Sequence, residues 1–373
     1  MTSHWLFVSK PLLAPLTDGT QVLVSHLVRH LADRFRVSYF GEPERPLRGG
    51  LRGEALRARH MGHAPPLLAK LQMLATLVKP RYRRTPLHFF FTPNPATSTI
   101  VALLKRIAPR RPIVQSLMSS HGVARHAHLL ESLDAVVVLS RHTRDELVAA
   151  GLAPTRVHCI YPAVDEVPSR QPLLPSWRVL YAGDLDERVV DRLVRVMHAI
   201  ESSPGPWTLT IACRPKAPRD AENRRRLEEL LAPQIATGRA VVRGEIGDMR
   251  ALLRDTALQI FVADNVARKV DLPLVLLEGL AAGVPLLAVD FAPLNEIFAL
   301  AREHDLQVGR LVALGDDGKA LEDAVRETLS ERGFLVRAGK QARALARLEF
   351  SLPAMVERYG ALYDALEKGN AND

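Results

Sequence analysis

Val270-Asp-Leu-Pro-Leu-Val-Leu-Leu-Glu-Gly-Leu-Ala-Ala-Gly-Val-Pro-Leu-Leu-Ala-Val-Asp290 is the stretch on which the reading of this chain turns. It reads as a loop that enters an apolar helix at Leu272, stops at Gly283 and continues as a buried strand from Val284. Glycine is the residue that most easily takes the left-handed turn ending a helix. A helix that leads straight into a buried strand is the crossover unit of a parallel sheet. One acid, Glu278, stands inside the apolar helix. Composition alone makes it an acid on a solvated stripe.

The same alternation extends outward from this stretch. Short apolar, β-rich runs at 178–182, 208–212, 240–243, 258–262, 285–289 and 310–313 predict strands, with helical patterns between them. A proline-rich stretch carrying Pro162, Pro168, Pro172 and Pro175 interrupts the pattern. Before it, strands are predicted at 5–10, 36–40, 87–91, 113–117, 135–139 and 156–161. A helix over 19–32 has Leu23, Leu27 and Leu31 recurring every four residues. Strands alternating with helices imply an α/β fold with doubly wound parallel sheets. The 373 residues exceed one ordinary α/β core and suit two. We therefore expect domains over 1–165 and 166–351, with a closing helical segment (352–368) that is either spare or crosses back onto the first domain. Open parallel sheets bind ligands beyond the carboxyl ends of their strands. Two such domains facing a cleft would hold a ligand there, so residues just after strands are the candidates.

Charge and cysteine content narrow the classes. The net charge is +9, yet the segment 45–84 alone has ten Arg and Lys against one acid, Glu54, so the remainder is nearly neutral. That segment includes a helical pattern over 65–79, with Leu67, Leu71, Leu74 and Val78 expected on one side. It lacks interleaved aromatics, which argues against a nucleic-acid partner and leaves an anionic membrane surface or an ordinary solvated face. Cys159 and Cys213 lie in separate strand-like runs and are expected to be buried, inert thiols. No apolar run reaches the ~18–20 residues of a membrane span. The first residues enter a strand pattern with no leader-like segment, so a cytoplasmic protein is expected, with peripheral attachment at the inner face as the membrane variant.

Glu278-Gly-Leu-Ala-Ala-Gly-Val-Pro285 resembles the signature of the family 4 retaining glycosyltransferases of GT-B fold: an acid, seven residues, then Glu-Ala-Met-Ala-x-Gly-x-Pro. Other markers follow in the family's order. Pro15-Leu-Thr-Asp-Gly-Thr-Gln21 resembles its glycine loop, in which only Gly19 permits close backbone approach. Residues 135–151 with Ile160-Tyr-Pro-Ala-Val-Asp165 look like the end of its first domain, and Val179-Leu-Tyr-Ala-Gly-Asp-Leu185 like the strand opening its second. Residues 350–363 resemble its closing helix, which crosses back onto the first domain. The resemblance covers essentially the whole chain.

It implies a GT-B fold and transfer of a sugar, a hexosyl group, from a nucleoside diphosphate sugar to an acceptor hydroxyl with retention at the anomeric carbon. Glu278 matches the acid that holds the donor ribose, and a carboxylate is a natural acceptor for two hydroxyls. The adjoining helix start, with Leu274, offers free N–H groups to the diphosphate. Four positions depart from the pattern: Val270 replaces the first acid, Pro273 a glycine, Asp184 an arginine and Met118 a histidine. Asp271, one place late, and His121, three places late, are the substitutes. Gly19, His121 and Asp271 are thus the expected catalytic residues, and Arg188, Lys269, Leu274 and Glu278 the donor-binding ones. Neither a metal nor a cofactor is expected; the pair Asp184 and Asp186 is a weak metal candidate. The acceptor classes are a glycan, a lipid-linked sugar or a small molecule. A catalytically inactive homologue acting as a binding protein remains the alternative, and a related epimerase or phosphorylase a further one.

Overall fold

The computed structural model describes residues 3–13, 19–41, 53–58, 67–167, 176–215, 217–266, 270–315 and 318–372. Its strands are β1 (His4–Leu12), β2 (Arg36–Gly41), β3 (Glu54–Arg57), β4 (Leu87–Phe89), β5 (Ile113–Leu117), β6 (Ala135–Val138) and β7 (Val157–Cys159). They continue with β8 (Arg178–Ala182), β9 (Thr208–Ala212), β10 (Ala240–Arg243), β11 (Leu258–Phe261), β12 (Leu286–Val289) and β13 (Gly309–Val312). These form two parallel sheets, ordered β3-β2-β1-β4-β5-β6-β7 and β10-β9-β8-β11-β12-β13. Both are doubly wound, Rossmann-like arrangements of the GT-B kind. Their strand order reverses at β1/β4 and at β8/β11, the switch points where such sheets bind ligands.

The chain divides into two compact units. The first joins Met1–Ala163, Ala267–Leu272 and Leu352–Asp373; the second joins Val164–Val266 and Pro273–Ser351. The short piece Ala267–Leu272 lies inside the span expected to belong to the second domain, yet it is part of the first unit.

In the first unit, alternate residues of β1 point to opposite faces, as a strand requires. Trp5 and Phe7 pack with Leu23, Leu27 and Leu31 of the helix Gly19–Leu31, while Leu6 and Val8 pack with Met73, Leu77, Val101 and Leu104. The closing helix, Leu352–Asn372, completes the first of these layers. Trp5 stacks on Tyr363 with ring centroids 3.8 Å apart, and its Nε1 donates to Glu367 at 2.8 Å. His88 is wholly buried between Tyr363 Oη at 2.5 Å and Ser116 Oγ at 2.7 Å, and Tyr359 Oη meets Ser116 Oγ at 3.2 Å. Burial holds the His88 pKa well below its usual value.

Several local expectations are corrected. The helix after Asp271 begins at Leu274, not Leu272, because Pro273 occupies the cap position and its carbonyl receives Leu276 N at 2.9 Å. The following strand starts at Leu286, two residues late. Strand β3 was not anticipated from its few apolar residues; Glu54 anchors it by accepting from Ser38 Oγ and Arg36, both at 3.1 Å. The helix Leu67–Leu77 buries Met73 and Leu77, whereas Val78, expected on one side with Leu67, Leu71 and Leu74, lies past its end and is 48% exposed; the side chains of Leu67 and Leu71 fall outside the described residues. Cys213 is buried, which pushes its thiol up to about 11, but Cys159 is only half-buried.

Candidate functional site

The second unit contributes the helix Leu274–Ala282, whose end the sequence dictates. Gly283 takes φ +81° and closes the helix through Gly283 N to Leu280 O at 2.9 Å and Val284 N to Gly279 O at 2.8 Å. At the other end, Leu274 and Val275 have no intrahelical acceptor for their N–H groups, which leaves a partial positive charge there. Glu278 is half-buried in the middle, among Leu276, Leu277 and Leu280, which are fully buried. It makes no hydrogen bond or salt bridge among the described residues. Burial raises its pKa; the Arg250 guanidinium pulls it back and the Asp165 carboxylate adds to the rise. Arg250 itself is ion-paired with Asp165. A desolvated carboxylate without a partner is costly unless a ligand supplies donors.

Arg188 lies in the first turn of the helix Glu187–Glu201, just past β8. Asp186 caps that helix, its carboxylate accepting from Val189 N at 2.9 Å, so the acid has a structural task. Asp184 lies in the same turn, where its carbonyl receives Tyr181 Oη at 2.6 Å. Across the switch point, just past β11, Asp264 accepts from Arg192 at 2.9 Å and from Arg188 at 3.2 Å. Burial would lift the Asp264 pKa, but Arg192, Asn265 and Arg188 outweigh it and hold the carboxyl below its usual range. Arg188 remains 76% exposed, so its cation is available to an anion. The charges acting on Glu278 are those of Arg250 and Asp165, not of Arg188. Asp264, Arg192 and Arg250 were missed in the sequence, where nothing marks an acid after β11 or an arginine in the short helix Met249–Arg254. Lys269 and Arg268 lie outside the described residues.

In the first unit, Gly19 is the first residue of the helix after β1, and the preceding loop residues 14–18 lie outside the described residues. His121 is exposed in the turn that follows β5; its N–H reaches Ser119 Oγ at 3.3 Å, and Gly122 makes the turn at φ +69°.

Asp271, expected among the catalytic residues, is 0% exposed, and its buried carboxylate is bonded within the first unit. One carboxylate oxygen accepts Ser120 N at 2.5 Å; the other accepts Ser140 Oγ at 2.7 Å and Thr143 Oγ1 at 2.5 Å. Ser140 also caps the helix Arg141–Ala149, taking Thr143 N at 3.1 Å, so the carboxylate rests at a helix N-terminus that favours negative charge. Both oxygens therefore take part in holding the fold. The backbone N–H of Asp271 donates to Met118 O at 3.0 Å, and Val270 and Met118 both pack on the same apolar cluster. Two of the departures from the family pattern thus add apolar side chains to one cluster.

Residues 176–331 match the family model described as Glycosyl transferases group 1. No curated protein matches the sequence significantly. Among solved structures, HepE of Anabaena in complex with UDP is similar over 98% of this chain and 100% of its own, with a TM-score of 0.72 and 15% identity. Sucrose-phosphate synthase from Thermosynechococcus elongatus is similar over 98% and 100%, with a TM-score of 0.71 and 19% identity. The apo lipopolysaccharide outer core galactosyltransferase WaaB is similar over 97% and 99%, at 0.65 and 12%. HepE has also been solved with UDP-glucose. Residues 176–331 thus match a group 1 glycosyltransferase domain, and the chain as a whole has the GT-B fold, which together support a glycosyltransferase.

Proposed function

We propose that this glycosyltransferase moves a hexosyl group from a nucleoside diphosphate sugar to an acceptor hydroxyl, with retention of anomeric configuration. The observation that carries the reading is Glu278, a half-buried carboxylate in an apolar helix with no hydrogen bond or salt bridge among the described residues. The ribose hydroxyls of a donor nucleotide supply the two hydrogen bonds it lacks. UDP and UDP-glucose, bound by HepE, are the first donors to test.

As the bond between the sugar and the diphosphate breaks, its electrons go to the leaving oxygen and positive charge grows on the sugar. The leaving charge falls to Arg188, Lys269 and the N–H groups at Leu274. One preorganised contact of this kind is worth about 10²–10³ in rate. No metal or cofactor is needed in this scheme. Gly19 and His121 remain the acceptor-side candidates. Asp271 positions the segment that leads to Pro273 and does not touch the sugar. The acceptor is a glycan, a small molecule or, favoured by the basic segment, a lipid-linked sugar at the inner face of the membrane, with the enzyme in the cytoplasm.

A thermal-shift panel of nucleoside diphosphate sugars tests the reading. A donor at 100 times its Kd adds about 2.7 kcal/mol of stability. Glu278→Ala is expected to lose that shift while keeping its own unfolding transition, since removing one member of a buried polar contact costs about 2–5 kcal/mol of binding. Undiminished binding by the variant sinks the assignment. Product analysis with the donor so found reads the anomeric outcome.

A further inference from the structure

The first unit carries a charged surface that the transfer scheme leaves idle. From residue 55 to residue 130 the sequence has twelve arginines and lysines and no acid. A groove of about 360 Å³ at the amino ends of β1 and β4 is lined by His4, Arg81, Arg83, Arg84 and Thr85. Beside it, sharing Arg83, a hollow of about 170 Å³ is lined by Leu77, Val78, Leu104, Ile107 and Arg111. Arg81 and Arg36 both turn to Glu54. Arg83 and Arg84 are exposed and have no acidic partner among the described residues.

The floor of the hollow adds charge. Arg111 is 3% exposed, and its guanidinium donates to Thr85 O at 2.6 Å and Tyr82 O at 2.8 Å, with no carboxylate near it among the described residues. Burial lowers its pKa only to about 10, so it is a cation at neutral pH. Its bonds hold the turn that carries Arg83 and Arg84, and its charge goes uncancelled. Around this floor the large apolar side chains are outside: Val78 is 48% exposed, Ile107 41%, and Leu103, one helical turn before Ile107, 49%. The nearby aromatics Tyr82, Phe89 and Phe90 are buried, which removes a stacking platform for bases.

Exposed aliphatic side chains interspersed with unpaired arginines suit the boundary between headgroups and acyl chains of an anionic bilayer. We propose that this surface docks the enzyme on anionic lipids, with Arg83 and Arg84 on the lipid phosphates and Val78, Leu103 and Ile107 at the acyl boundary. It lies at the amino ends of the strands, so the carboxyl ends, where parallel sheets bind ligands, stay open. The inference goes beyond the transfer reading, since it concerns where the enzyme sits and not which acceptor it takes, and its test needs no transfer.

The full chain is sedimented with phosphatidylglycerol vesicles at low and high salt, with phosphatidylcholine vesicles as the neutral control. Binding to the anionic vesicles at low salt, released as salt rises, is expected. Arg83→Glu with Arg84→Glu should lower partitioning by at least about thirty-fold, since the lost attraction of each arginine alone costs about fivefold. Leu103→Ser with Ile107→Ser should weaken it several-fold. Arg225→Glu, on an exposed helix of the second unit, should not. Inorganic phosphate should release the protein no better than chloride at equal ionic strength; better release would mean a soluble-phosphate site and overturn the docking. So would absent binding at low salt, or equal losses from Arg225→Glu and the paired reversal. Lost sedimentation with an intact donor thermal shift removes only the docking; the opposite pattern removes only the transfer reading.

Discussion

Asp271→Ala should destabilise the first unit by about 3–5 kcal/mol, the cost of breaking a buried charged cluster by removing one partner. The carboxylate has 0% exposure and accepts three bonds of 2.5–2.7 Å. Hydrogen bonds to a charged group are each worth about 1.5–3 kcal/mol. Part returns, because Ser140 Oγ can turn toward Thr143 Oγ1, 2.9 Å away. The Ser120 N–H has no such recourse. For a unit of this size 1 kcal/mol moves Tm by about 2–4 °C, so a fall of roughly 10 °C is expected. Asp271→Asn should fall between parent and Ala: its carbonyl can keep Ser120, but its amide must donate to a Ser140 oxygen already taken by Thr143 N. Circular dichroism during heating measures both, and donor thermal shifts on the same samples report the second unit separately. An Ala variant that melts with the parent yet transfers no sugar would refute the argument, because the carboxylate would then be serving chemistry and not the fold.

Arg188→Ala is expected to leave stability within about 0.5 kcal/mol, since the side chain is 76% exposed, and to cost more affinity for nucleoside diphosphate than for free nucleoside. Equal losses in titration calorimetry would mean the diphosphate lies elsewhere. His88 gives a pH signature: unfolded, it binds a proton near 6.5, but folded only well below that. The unfolded state therefore holds more protons below pH 6.5, and stability should fall by about 1.4 kcal/mol per unit as pH drops through that range. Urea melts of His88→Gln should show a flatter slope; an unchanged slope assigns the loss to other groups. Gly279→Ala would match the alanine of the family signature and adds helix propensity of about 1 kcal/mol. It should nonetheless destabilise, since its Cβ would meet the Gln259 amide at 2.3 Å, and overpacking costs about 1–3 kcal/mol. Gln259→Ala in the same chain should recover most of that loss.

The strands were legible because each is an apolar run bounded by turn residues, and β5, β8, β9 and β10 fall on their expected limits. Strand β3 was not, because Glu54-Ala-Leu-Arg57 owes its place to bonds with Arg36 and Ser38 and not to its own pattern. Glu278 was singled out by the resemblance, because composition alone reads it as an acid on a solvated stripe, and the structure shows it half-buried. Asp271 was singled out in the same way, yet its partners Ser120, Ser140 and Thr143 are more than a hundred residues away in sequence, so no local reading reveals that they hold its oxygens. Gly279 teaches the same lesson from the other side. A glycine inside a helix looks like a weak point until Gln259, buried on β11, is seen donating its Nε2 to Leu276 O at 3.0 Å through the space a methyl group would need. A departure from a family pattern therefore carries functional weight only after the neighbours that fill its place are known. By that standard Val270 and Met118 are matters of packing. Asp184, in the turn after β8 with Arg188 close behind in the next helix, is the departure that the Arg188→Ala titration bears on.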